Sequence, residues 1–164
     1  MFAMKNLLLG AALLASLPVA ANQALQGPLM QSPGTLAVYK SPTCGCCTGW
    51  VDHAKAHGLT VDTYNAPDLS GLKQFHQIPP AMRSCHTAVS EQGYVFEGHV
   101  PAKLVEVFLL APPEGAKGLT VPAMPVGSPG MEMGDKFMPY EVLQLNMDGS
   151  VEVFAKIDAP DQQY

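Results

Sequence analysis

Three cysteines crowd into four residues at Cys44-Gly45-Cys46-Cys47, and the chain has one more, Cys85. This spacing argues against a fold held by two structural disulfides, leaving at most one bridge with spare thiols. Neighbours such as Cys46 and Cys47 bridge only through a distorted peptide, and Cys44 with Cys46 is nearly as awkward. Cys44 and Cys47 have the C-x-x-C spacing and bridge well. Cys46 and Cys85 must then pair with each other or stay free. The fold has to rest on a hydrophobic core, and 164 residues are enough for one domain that buries one. Three thiols in four residues make a poor staple but a dense set of soft ligands.

The N-terminal residues stand apart from that core. Lys5 supplies a positive start, and Leu7 to Leu17 is an apolar run of signal-peptide length. Pro18-Val19-Ala20-Ala21 offers small residues for cleavage after Ala21. The run is too short for an ordinary membrane span, and no later stretch is as long, so no span is expected after cleavage. The reading is a signal peptide over 1–21, a flexible lead-in over 22–34, and export to the periplasm. The formal charge of −5 becomes one unit more negative without Lys5. A mildly acidic chain with no basic patch excludes nucleic acid and anionic membranes as natural partners.

Hydrophobic patterning predicts the elements of the domain over 35–158. Thr35 to Lys40 reads as a strand, broken by Ser41-Pro42-Thr43. A helix follows from about Gly45 through Trp50, Val51, Ala54 and Ala56, stopped by Gly58. Leu59 to Tyr64 is a second strand. A helix over Leu69 to Phe75 has Leu72 and Phe75 on one face. His86 to Val89 and Tyr94 to Phe96 are strands around Glu91-Gln92-Gly93. Pro101 opens a helix continuing through Leu104, Val107, Phe108 and Leu109. This β-α-β-α-β-β-α order is that of the thioredoxin fold, with the cysteines where that fold keeps its active site. Beyond Pro112 the chain changes character. Residues Gly118 to Gly134 form a Met-, Pro- and Gly-rich loop, and Glu141 to Met147 with Val151 to Ile157 make a hairpin around Asp148-Gly149. The tail over 159–164 is expected to fray.

At a helix N-terminus, free backbone N–H groups and the helix dipole stabilise thiolates. Thiolate is the form that binds metal and also the form that attacks disulfides, so the position serves either chemistry. Gly45 lets the backbone turn between ligands. In a thioredoxin-like arrangement Cys85 would face the cluster from the start of the third strand. Soft thiolates select Cu(I), zinc or iron–sulfur clusters. Zinc prefers tidy tetrahedral spacing, whereas crowding on one turn favours sulfurs that bridge several metal ions. Four methionines lie between Met124 and Met138 without helical or strand periodicity. Each one singly reads as a gap-filler. As a group beside thiolates they tilt the metal towards copper, because thioethers bind Cu(I) well and zinc poorly. Met124, Met131 and Met133 are therefore candidate additional ligands.

Among the histidines, His99 sits at a strand-to-helix junction and is the favoured extra ligand or support. His86 is a second candidate, although strand alternation after Cys85 points it to the opposite side unless the strand starts later. His53, His57 and His76 read as structural or solvated, Arg83 as solvated or carboxylate-paired, and Trp50 as core or a lid over the cluster. The sequence holds no phosphate loop, G-x-S-x-G or H-E-x-x-H.

Four motifs in order then resemble a known family. They are Tyr39 to Cys47 followed by Trp50, Arg83-Ser84-Cys85-His86-Thr87-Ala88, Glu97-Gly98-His99-Val100-Pro101, and Val121 to Glu132. They are similar to the CopG-type copper-resistance proteins over about Thr35 to Phe154. The resemblance implies a thioredoxin-like fold, a periplasmic location and a cysteine-bridged multinuclear copper cluster on Cys44, Cys46, Cys47 and Cys85. It also implies a role in copper detoxification by changing copper between Cu(I) and Cu(II), alongside other periplasmic copper-handling proteins. One departure is Ala123, which stands where a second glycine is expected before Met124. The competing function is a thiol–disulfide oxidoreductase using Cys44 and Cys47. Against it, Cys46 and Cys85 would trap such an enzyme in unproductive disulfides.

Overall fold

The computed structural model describes residues 34–164. The expected signal peptide over 1–21 and the lead-in over 22–34, apart from Gly34, lie outside the described residues. The chain is a mixed α/β protein built on one seven-stranded sheet. Its elements are β1 (Thr35–Lys40), α1 (Gly45–Ala56), β2 (Thr60–Asn65), α2 (Ser70–Phe75), β3 (His86–Ser90), β4 (Val95–Glu97), α3 (Ala102–Leu110), β5 (Ala116–Thr120), β6 (Tyr140–Asn146) and β7 (Val151–Ile157). Short 3-10 turns follow α2 and β7. The strands lie in the order β2-β1-β3-β4-β5-β6-β7. β1 and β2 are parallel, β3 is antiparallel to both β1 and β4, and β4 and β5 are parallel. Among the described residues no helix is long and apolar enough to cross a membrane.

Alternation along the strands sorts the two faces of the sheet. Leu36 and Val38 of β1, Ala88 of β3 and Phe96 of β4 pack with Trp50 of α1 and Phe108 of α3 in the main core. Burying a side chain such as Phe96 contributes about 1.5–3 kcal/mol. Thr87 and Glu97, one residue out of phase, point to the opposite face, where Lys73 of α2 reaches both. A smaller cluster of Ile78, Val95 and Leu145 also lies on that side.

The structure departs from the patterning in three places. Residues Gly118 to Thr120, expected in the Met-, Pro- and Gly-rich loop, belong instead to β5 (Ala116–Thr120) between β4 and β6. Gly118 reads as a breaker in the sequence, yet here it lets two backbones meet: a Cβ on it would lie 1.8 Å from the Val95 carbonyl oxygen. On α2, Phe75 is 80% exposed and Lys73 is buried, the reverse of the apolar face expected. A six-residue helix has too few turns for periodicity to identify its inner face, and the buried residue here is charged and paired. The tail does not fray. Pro160–Gln163 is a 3-10 turn, and the buried Gln163 side chain accepts from the Tyr140 hydroxyl (2.6 Å) and donates to the Gly127 carbonyl (2.9 Å).

Candidate metal centre

β1 ends at Lys40, and the Ser41-Pro42-Thr43 turn delivers Cys44 to the N-cap of α1. The Cys44 sulfur accepts from the Cys47 amide (3.3 Å), doing the capping work usually done by an oxygen. Cys44 and Cys47 are joined by a disulfide, while Cys46 and Cys85 are free thiols. The Cys46 sulfur lies 3.4 Å from that of Cys44. The β1–β3 register pairs Lys40 with His86, which carries Cys85 to the N-terminus of α1. The sulfurs of Cys44, Cys46, Cys47 and Cys85 all lie within 4.8 Å of one another, close enough to hold a metal ion.

The histidines join through Cys85. Its sulfur is 3.1 Å from His99 Nε2 and 3.3 Å from His86 Nδ1, and these three ligand atoms form a second group within 4.8 Å. Cys85 lies before the strand begins, which is the case in which alternation does not turn His86 away. Alternation starts with His86, the first residue of β3, which shares the face of Ala88 and packs 4.7 Å from the Trp50 ring. Cys85 precedes the strand and turns to the same side. His99 Nδ1 donates to the Pro129 carbonyl (2.8 Å) in the neutral ring, so Nε2 presents its lone pair to Cys85. His86 Nε2 is buried and has no hydrogen-bond partner among the described residues.

Burial dominates the electrostatics. It holds His86 well below the ordinary imidazole range, and a proton on neighbouring His99 or the charges of Lys73 and Lys40 would push it lower still. Burial also lowers His99, opposed by its bond to Pro129 and by Glu132. Both rings are therefore neutral, the form that ligates metals. Burial, followed by the neighbouring Cys46, pushes the Cys85 thiol up to about 12. A cation in place of the proton would relieve this penalty.

The loop after β5 covers the site. Ser84 Oγ donates to the Ala123 carbonyl, and Gly130 packs on α1, with its Cα 3.0 Å from a Cβ built on Gly49. Met124 and Met133 are half exposed and Met131 half-buried within this loop. Trp50 is core rather than lid, with Nε1 donating to the Val100 carbonyl (2.8 Å). Arg83 is half-buried and bonds the Ile78 carbonyl (3.0 Å) rather than a carboxylate.

Sequence reasoning passed over the supports beneath the site. Glu97 is fully buried and pairs with Lys73. It accepts from the Ser84 amide (2.6 Å) and the Thr87 hydroxyl (2.7 Å), and Lys73 also donates to Thr87 Oγ1 (3.0 Å). The available signal was Glu97 alternating with Phe96 on a strand between motif residues, a charge placed where an exposed face was not needed.

Fold and site together define an α/β protein carrying a cluster of sulfur and imidazole donors able to hold a metal ion. The family model described as "Protein of unknown function, DUF411" matches residues 82–131. A solved structure of a copper resistance protein CopG, form 1, is 39% identical with a TM-score of 0.70. The match covers 77% of this chain and 99% of that one. Form 2 is also 39% identical, with a TM-score of 0.69, over 75% and 97% of the two chains. No curated protein sequence matches the chain. The chain belongs to the CopG copper-resistance family.

Proposed function

We propose that this protein binds copper on Cys44, Cys46, Cys47 and Cys85, with His86 and His99 completing the donor set, and that it serves copper resistance in the periplasm. The observation that carries this is the arrival of Cys85, from a distant strand, within 4.8 Å of three sulfurs on one turn. Soft sulfur with neutral imidazole suits Cu(I) and, through nitrogen, Cu(II). Crowded sulfurs favour a bridged, multinuclear cluster, and the solved relatives are copper resistance proteins. The β2-β1-β3-β4 part of the sheet, with helices after β1, β2 and β4, supports a thioredoxin-like reading of the core.

The Cys44–Cys47 disulfide supports a redox element in this role. Oxidation of the two thiols to the disulfide releases two electrons and two protons. The electrons reduce two Cu(II) ions to Cu(I), and the protons leave to solvent. Binding through all four sulfurs requires the pair to be reduced first.

The test is anaerobic Cu(I) titration of the reduced protein beginning at Asn22, read by elemental analysis. At least one tightly held Cu(I) per chain is expected, and less than one overturns the reading. The same disulfide favours a second reading, a thiol–disulfide oxidoreductase using Cys44 and Cys47. Insulin reduction by metal-free protein, lost on Cys44→Ser, would establish that activity instead.

A further inference from the structure

Ser84 and Thr87 bracket the Cys85-His86 dipeptide, and both bond the same buried carboxylate. Glu97 Oε1 accepts from the Ser84 amide (2.6 Å) and from Lys73, and Oε2 accepts from the Thr87 hydroxyl (2.7 Å). Thr87 and Glu97 are direct partners across the β3–β4 pair, so the clamp is part of the sheet register. Immediately after Glu97 the chain turns at Gly98 (φ +72°) to deliver His99, and the Gly98 amide donates to the His86 carbonyl (3.0 Å). One carboxylate thus sits under Cys85, His86 and His99 while touching none of their ligand atoms.

A buried charge pair of this kind is weak evidence for stability, since desolvation consumes much of the attraction. Its directional bonds instead fix geometry, as groups that orient metal ligands do. We infer that Glu97, neutralised by Lys73, is a positioning residue that holds Cys85 and His86 in the orientation needed to share a ligand with His99. The inference rests on the copper reading for its purpose, but its geometry can be probed without metal.

In metal-free protein with the Cys44–Cys47 disulfide intact, Cys46 and Cys85 are the free thiols. Their alkylation by iodoacetamide, resolved by peptide mass spectrometry, gives a Cys85-to-Cys46 rate ratio with an internal control. Glu97→Gln should raise that ratio at least threefold, because the released segment exposes the half-buried Cys85. General loosening of the fold would raise both rates together. Should Glu97→Gln fail to fold, Thr87→Val, nearly isosteric and leaving the Lys73–Glu97 pair in place, should raise the ratio in the same direction. A folded variant with an unchanged or lowered ratio overturns the inference. In reduced protein, Cu(I) affinity by chelator competition should fall about 10–100-fold in Glu97→Gln. A wild-type protein that takes up no Cu(I) would end the copper reading, and the alkylation ratio would still decide the role of Glu97.

Discussion

Gly130 rests directly on Cys46: a Cβ built at position 130 would lie 2.5 Å from the Cys46 carbonyl oxygen, and equally close to the Trp50 amide nitrogen. The loop after β5 is therefore seated on the turn that carries the cysteines. Gly130 also has φ +84°, which glycine adopts freely and alanine does not. Gly130→Ala should cost about 1–3 kcal/mol by overpacking. Urea denaturation with an unchanged m-value checks this, and wild-type stability would show that the loop can lift away from α1.

Ala123 gives the opposite prediction. It holds φ +61°, and its carbonyl accepts from Ser84 beside Cys85. A left-handed alanine costs roughly 1–2 kcal/mol, partly offset by the greater chain entropy that glycine loses on folding. Ala123→Gly should stabilise the protein by about 0.5–1 kcal/mol, read as a higher urea midpoint.

Copper uptake should depend on pH in a direction set by Cys85. Its thiol is pushed up to about 12, by burial and then by Cys46, so binding as thiolate displaces a proton throughout the neutral range. Burial shifts His86 and His99 away from their protonated forms, so they compete less for protons there. From about pH 6 to about pH 8, Cu(I) affinity should rise at least tenfold per pH unit. Chelator competition at fixed free Cu(I) checks the slope, and Cys85→Ser should lower it by one proton.

Acid should weaken the fold through His53. Its ring accepts from the Ala102 amide (3.0 Å), and its pKa is lowered from 6.5 to about 4 by burial and then by His57, against an opposing pull from Glu132. The unfolded chain binds this proton more readily, so the stabilisation is complete above 6.5 and is lost as pH falls through about 4. His53→Gln, which keeps an acceptor for the amide, should flatten part of that decline. His76, His86 and His99, shifted the same way, retain the rest. Thermal melts at about pH 7.5, 5.5 and 4.5 test it.

Much of this was legible because it is local. Gly45 to Ala56 carries its apolar spacing, and the hairpin around Asp148-Gly149 carries its turn. Cys85 could be matched to the cluster because strand and helix order bring their ends together. What escaped depends on contacts between distant segments. β5 is a strand because Gly118 permits a close approach to Val95, and nothing within Ala116–Thr120 records that approach. The facing of His86 turned on where β3 begins, a one-residue difference that swaps a side chain between sheet faces. Gln163 looks like part of a frayed end until Tyr140 and Gly127 are seen to receive it.

The pairing of Lys40 with His86 also sets an order of events during folding. Cys44 and Cys47 are three residues apart and need only one local turn to meet, whereas Cys85 lies 38 residues beyond Cys47 and arrives only when β3 docks beside β1. Closing a short loop is entropically cheap, while non-local strand pairing is slow. In the presence of an oxidant, the local pair would therefore close before the distant thiol can compete. The strand register thus acts as a kinetic guard against mispaired sulfur, delivering Cys85 to a partner set already settled.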